Sequence, residues 1–137
     1  MLLVPTFLAP SSIHGIGVFA EVAIDKGTTV YVFNPILDKM FTASEKQKLP
    51  AYAQEWVDDH AFLTSSNLWI IAADNDNYSN HSSTPNLVEV PSSEPKITLD
   101  LVAATDIPAG TELTQDYFGW NFNPKVAHLK YLNRINM

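Results

Sequence analysis

The stretch Asp76-Asn77-Tyr78-Ser79-Asn80-His81-Ser82-Ser83-Thr84-Pro85-Asn86 constrains this chain more than any other. It carries three asparagines, one histidine and one proline, with no apolar run through it. On residue types alone it is a surface turn, because Asn, Ser and Pro favour loop conformations. Apolar segments flank it closely, however: Leu68-Trp69-Ile70-Ile71 before and Leu87-Val88-Glu89-Val90 after. Asn80-His81-Ser82 also sets amide, imidazole and hydroxyl side by side, a set able to hydrogen-bond a polar ligand. The segment is therefore either a surface turn or a set of polar groups held for a ligand.

The rest of the chain bears on that choice. Its 137 residues fit one domain, 1–137, with a modest core. No apolar run approaches the ~20 residues of a membrane helix, so no membrane association is expected. The start, Met1-Leu2-Leu3-Val4-Pro5, lacks a basic segment and a cleavage site and reads as strand rather than signal peptide. There is no cysteine, which excludes disulfides, thiolate zinc sites and a cysteine nucleophile. The cytoplasm is the default compartment, or the nucleus in a eukaryote. The net charge of -7 disfavours nucleic acid, whose backbone needs clustered Lys and Arg. It favours a basic partner, although acidity also simply aids solubility.

Short strands with turn signals between them predict a mainly β fold. Residues 2–8 read as a strand with Pro5 at an edge position. Ser11 to Ala20 contains Gly15-Ile16-Gly17, which permits tight turning and close approach to a ligand. It lacks the third glycine and following helix of a dinucleotide site. Thr28-Thr29-Val30-Tyr31-Val32-Phe33 is β-branched and aromatic, hence a strand. Thr42-Ala43-Ser44-Glu45 is a capping box opening a short helix, and Pro50 breaks it or starts another near Tyr52 to Val57. Leu68–Ala72 and Ile97–Ala104 are further strands, and Thr111–Tyr117 is extended. Asn123-Pro124 opens a C-terminal helix through Val126, Leu129 and Leu132. His14, His60 and His128 stand without a partner pattern, so no metal site is expected. Asp58-Asp59 and Asp74-x-Asp76 read as solvated turns, and Trp69 as core.

Three stretches then stand in order: Gly15-Ile16-Gly17-Val18-Phe19-Ala20 with Ile24-x-Lys26-Gly27-Thr28; Asn80-His81-Ser82-x-x-Pro85-Asn86; and Ala104-x-Asp106-Ile107-x-x-Gly110-Thr111-Glu112-Leu113-Thr114-Gln115-Asp116-Tyr117. Together they resemble the SET-domain family of protein lysine methyltransferases over roughly residues 3–118. The resemblance implies a β-clip fold of small twisted sheets, with the Asn80 segment threaded in a C-terminal pseudoknot. Segment 38–66 fits the family's variable helical insert, and 118–137 is a tail that closes the channel. The resemblance further implies S-adenosylmethionine as methyl donor. Gly15, Ile16 and Gly17 meet its amino-acid part through the backbone. Asn80 bonds the methionine moiety by its side chain, and His81 meets the adenine mainly by its backbone. Tyr117 matches the family's tyrosine beside the sulfonium and the target amine, the catalytic position, while Ser82 and Asn86 hold the knot.

Methyl transfer to an amine is an in-line displacement that needs a neutral nucleophile and aligned partners. Neither a side-chain nucleophile nor a metal is required, which suits a chain without cysteine. The resemblance implies a basic, lysine-bearing protein substrate, with a histone-like protein as one candidate. The chain departs from the family pattern in several places. Asn77 stands where Arg is common, Ser83 where Cys often follows, and Phe33 where a strand usually ends in Tyr. Gln115 replaces an aromatic that helps set the number of methyl groups added. Phe33, Gln115, Phe118 and Trp120, with Phe122, are the substrate-channel candidates. Cys-rich flanks are missing, so channel closure falls to the tail, and a second copy completing the groove as a homodimer is a further expectation. The departures leave one alternative from another class: a SET-like module that binds cofactor or a lysine-bearing peptide and transfers little. A structural β-clip domain without ligand is a third.

Overall fold

Short strands joined by tight turns carry most of the order in the computed structural model, which describes residues 1–64, 67–92 and 99–117. In chain order the strands are β1 (Thr6–Pro10), β2 (Ile16–Ala20), β3 (Thr29–Tyr31), β4 (Lys39–Thr42), β5 (Phe62–Leu63), β6 (Leu68–Ile71), β7 (Asn80–His81), β8 (Leu87–Pro91), β9 (Leu99–Ala103) and β10 (Thr114–Gln115). Helices α1 (Ala43–Gln47) and α2 (Ala51–His60) lie between β4 and β5, and a 3-10 turn spans Asn75–Tyr78. β1 pairs with β2, β3-β9-β8 and β4-β6-β5 form three-stranded sheets, and β7 pairs with β10. All these pairs are antiparallel except β7 with β10, which is parallel. The chain is thus mainly β, built of small sheets, as the turn spacing predicts.

Several boundaries differ from the sequence expectation for physical reasons. The predicted strand 2–8 is divided at Pro5. Leu2 bridges Tyr31 and the Leu3 amide donates to Val30, whereas β1 begins at Thr6 and pairs with β2. Proline has no N–H to offer either ladder and so sits where the chain changes partner. The segment 38–66 contains both helices, and it also supplies β4 and β5, which take the two edges of β6. The capping box forms as expected: the Glu45 amide donates to Thr42 Oγ1, and the Glu45 carboxylate accepts from the Thr42 amide. Pro50 becomes the N-cap of α2. The C-terminal helix expected after Asn123 lies outside the described residues.

Two apolar clusters hold these sheets together. The larger gathers Val18, Val30, Tyr31, Leu87, Ile107 and Leu113 between β2, the β3-β9-β8 sheet and the run before β10. Burying each such side chain stabilises by about 1.5–3 kcal/mol. The smaller packs Val57 and Ala61 of α2 on Phe41 and Trp69 of the β4-β6-β5 sheet. Lys46 of α1 is buried there, its Nζ 4.5 Å from the Trp69 ring centre and 2.5 Å from Asp58 Oδ1.

The three sequence stretches meet through the backbone. Ile24 and Ile107 exchange main-chain bonds, Gly110 donates to Ala20, and Leu113 donates to Val18. The run 107–113 therefore lies along β2 and the segment after it. At Thr114 the chain passes to a new neighbour, and Thr114 and Gln115 pair with Asn80 and His81.

Candidate active site

The polar stretch of the sequence is buried, and its groups are paired. Ser79, Asn80 and His81 are 5%, 5% and 3% exposed. Asn80 Nδ2 donates to the carbonyls of His14 (3.1 Å) and Ile16 (3.3 Å) and to Glu112 Oε1 (2.8 Å). Its side chain thereby joins the Gly15–Gly17 bend to the C-terminal run. Glu112 is held in turn by Ser11, whose hydroxyl donates to both carboxylate oxygens at 2.8 and 2.9 Å. Asn86 clamps the same run: its Nδ2 donates to the Glu112 carbonyl and its Oδ1 accepts from the Thr114 amide. This pairing is how a segment of Asn, Ser and His tolerates burial.

The glycines have separate reasons. Gly15 has φ +49°, left-handed backbone that the turn from Ser11 requires. At Gly17 an added Cβ would run into the Glu112 carboxylate and stand 3.2 Å from Ser11 Cβ. His14, Gly15 and Ile16 are exposed at this bend.

His81 and Tyr117 form the next layer. The Tyr117 amide donates to His81 Nδ1 at 3.1 Å, so that nitrogen carries no proton. Burial pushes the imidazole below its ordinary pKa, partly offset by Asp116 at 3.7 Å. The two rings lie 5.5 Å apart and tilted. The Tyr117 hydroxyl donates to the Ser79 carbonyl, one residue before Asn80. Gln115 presents its carbonyl to the Ser82 amide and, 3.2 Å away, its Nε2 to Asp76 Oδ1.

A cavity of about 80 Å³ opens beside Tyr117, and Gln115, Ser79, Asp76 and Asn77 are in its wall. Asp58 and Asp59 of α2, Glu89 of β8 and Asp116 add carboxylates to the same wall. Of the sequence candidates, Tyr117 and Gln115 line this cavity, Asn80 joins Ile16 to Glu112 where Gly17 also packs, Gly15 lies at the exposed bend, and His81 packs against Tyr117. Phe33 is half-buried after β3 and is not among the lining residues. Phe118 and Trp120 lie outside the described residues, as does Phe122.

The structure adds residues the sequence reading passed over. Asp76, expected in a solvated turn, is 6% exposed and sits in the cavity wall. It is buried because Tyr78 and Ser79 carry the 3-10 turn inward to β7, which alternation of residue types cannot reveal. Asp58, also read as solvated, faces the cavity while paired with Lys46. Glu112 and Ser11 fix the bend. The only sequence signal for Glu112 was its place just before Leu113 in the third stretch.

A mainly β domain in which a glycine bend, a buried Asn-His pair and a C-terminal tyrosine converge has the architecture of a SET domain. The SET-domain model matches residues 15–118, and the chain belongs to this family. Solved structures agree on the fold. Chaetomium thermophilum Polycomb Repressive Complex 2 in an autoinhibited state matches with TM-score 0.69 at 22% identity, over 96% of this chain and 17% of that one. A humanised mutant of the same complex, bound to the inhibitor GSK126, matches with TM-score 0.68 at 22% identity, over 90% of this chain and 16% of that one. A Plasmodium falciparum protein assigned as a histone methyltransferase matches with TM-score 0.62 at 17% identity, over 85% of this chain and 95% of that one. The present chain thus spans about one-sixth of the Polycomb chains it resembles. No curated protein matches it.

Proposed function

We propose that this domain transfers a methyl group from S-adenosylmethionine to the ε-amine of a lysine in a basic protein. The observation that carries the reading is the Tyr117 hydroxyl, bonded to the Ser79 carbonyl at a cavity that adjoins the Asn80–His81 strand.

The residues present fit the donor. Around Asn80 the site offers acceptors: the Glu112 carboxylate and the carbonyls of His14 and Ile16. Such a set suits the ammonium of the methionine moiety, and the open backbone at Gly15 allows close approach. His81 pairs with Gln115 in the ladder and accepts from the Tyr117 amide, and the family resemblance gives it a main-chain role toward an adenine. The parallel β7–β10 pairing supports the threaded pseudoknot that the family resemblance implies. When bound, S-adenosylmethionine supplies an electrophilic methyl group on positively charged sulfur.

The chain's own residues then do two things. Tyr117, whose hydroxyl hydrogen is directed at the Ser79 carbonyl, accepts a hydrogen bond from the lysine amine and orients it. The lysine, whose free pKa is about 10.4, must give up its proton before its nitrogen can attack. The carboxylates of Asp58, Asp59, Glu89 and Asp116 at the cavity give a basic segment a complementary surface. The test is transfer of labelled methyl from S-adenosylmethionine to core histones or another lysine-rich protein, comparing wild type with Tyr117→Phe. Equal label on lysine from both proteins would remove Tyr117 from the reaction.

A further inference from the structure

Asp76 and Asn77 have no part in the roles given so far, and both line the cavity. Asp76 is 6% exposed, and its Oδ1 accepts from Gln115 Nε2 at 3.2 Å. Among the described residues its Oδ2 has no hydrogen bond. The side-chain oxygen of Asn77 is buried and also without a partner. A buried acceptor left unpaired costs about 1–3 kcal/mol, so the Asn77 oxygen calls for a donor from outside, and the open Asp76 Oδ2 in the same wall can accept from that donor as well. The Ser79 carbonyl, already bonded by Tyr117, belongs to the same turn, because the Ser79 amide donates to the Asp76 carbonyl. The wall is therefore rich in acceptors and carries negative charge. Its natural complement is a compact cation with several N–H donors and an alkyl stem, which describes a primary ammonium.

We propose that Asp76, with the Asn77 side-chain oxygen beside it, forms an ammonium subsite that receives the ε-amino group of the entering lysine and takes its proton. The proposal rests on the reading of the cavity as a lysine channel. In the proton step an N–H bond breaks with its electron pair staying on nitrogen. An O–H bond forms on Asp76 Oδ2, and a neutral amine remains next to Tyr117.

The electrostatics suit the task. Burial first, then Asp74, push the Asp76 carboxyl up to about 7, which makes its anion a better base than an ordinary carboxylate. Asp38 acts in the same direction, while the Met1 amino group and the Gln115 bond act in the other. Tyr31 also lies close, with its hydroxyl bonded to Asp38 and pushed far above its usual range by burial, then by Asp76. Across the cavity stand Asp58, Asp59 and His60 of α2, Glu89 of β8, and Asp116 and Tyr117 after β10. Most of these are acids, so an arriving cation meets an attractive field from every side.

The probe is n-butylammonium chloride, a lysine side chain without its peptide, with tetramethylammonium chloride at equal ionic strength as control. In full-length protein carrying 13C-labelled aspartate, the Asp76 carboxyl titration is assigned with Asp76→Asn, which keeps an acceptor for Gln115. Butylammonium is expected to lower the Asp76 midpoint by about one pH unit, and Asp76→Asn to weaken its binding about tenfold. Identical effects of the two salts would overturn the subsite. Methyl transfer to core histones is measured alongside. Asp76→Asn is expected to raise KM and to remove the acid limb of kcat/KM near neutral pH. Turnover by Asp76→Asn with unchanged KM and pH profile overturns the inference and leaves methyl transfer standing. Butylammonium binding at Asp76 in a wild-type protein that transfers no methyl keeps the subsite and removes the methyltransferase reading.

Discussion

At position 17 only glycine fits. Glu112 occupies the space a Cβ needs, and Ser11 and Asn80 pin that carboxylate, so it cannot swing aside without breaking their bonds. Gly17→Ala is expected to destabilise the domain by about 2–3 kcal/mol in urea unfolding, and to weaken S-adenosylmethionine binding by calorimetry. Asp76 makes a second prediction at this scale. A carboxyl raised to about 7 in the folded state, against about 3.9 unfolded, keeps its proton longer when folded. Between roughly pH 4 and 7 the folded state binds the extra proton, so stability falls as pH rises through that window. Asp76→Asn removes this loss. The variant is expected to match wild type near pH 4 and exceed it by about 2 kcal/mol or more at pH 8 in urea unfolding at each pH. Equal pH dependence for both proteins would contradict the burial argument. Asn80, His81 and Tyr117 were legible because their types and order carry a pattern. Asp76 was not: an aspartate in a polar run looks the same whether the next turn leads to solvent or inward.

The Thr42–Glu45 capping box was readable because both partners lie within one turn, and it forms as read. Thr42→Ala is expected to cost about 1 kcal/mol in thermal or urea unfolding. It acts through α1, whose Lys46 holds Asp58 at the cavity, and so should also raise KM for a lysine-rich substrate modestly. β4 and β5 escaped notice because strands of four and two residues are too short to show alternation, and they exist by pairing with the edges of β6. The parallel β7–β10 pair was not derivable from any local pattern either. Its two partners are far apart in the chain, and its strands are polar because side-chain bonds to Glu112, Asn86 and Asp76 replace apolar packing. Only the order of the three stretches pointed to it. Pro5 was correctly taken as an edge signal, but its missing N–H marks a change of partner rather than a strand interior.

For the whole molecule, the -7 net charge and the carboxylates around the cavity act together. On the proposed reading, a basic substrate is drawn in over about a Debye length, roughly 8–10 Å at physiological salt. Raising salt from about 50 to 300 mM is therefore expected to lower kcat/KM for a lysine-rich protein several-fold, mostly through KM. A rate indifferent to salt would remove the electrostatic part of substrate selection. On the proposed reading Tyr117, set on Ser79 beside the Asn80–His81 strand, serves methyl transfer to lysine. The deciding experiment is mass spectrometry of a lysine-rich protein incubated with this domain and S-adenosylmethionine. Lysines are expected to gain methyl groups with wild type, and the gain is expected to fall about a hundredfold or more with Tyr117→Phe at unchanged cofactor affinity. Unmodified lysines with wild type, or equal methylation by Tyr117→Phe, would contradict it.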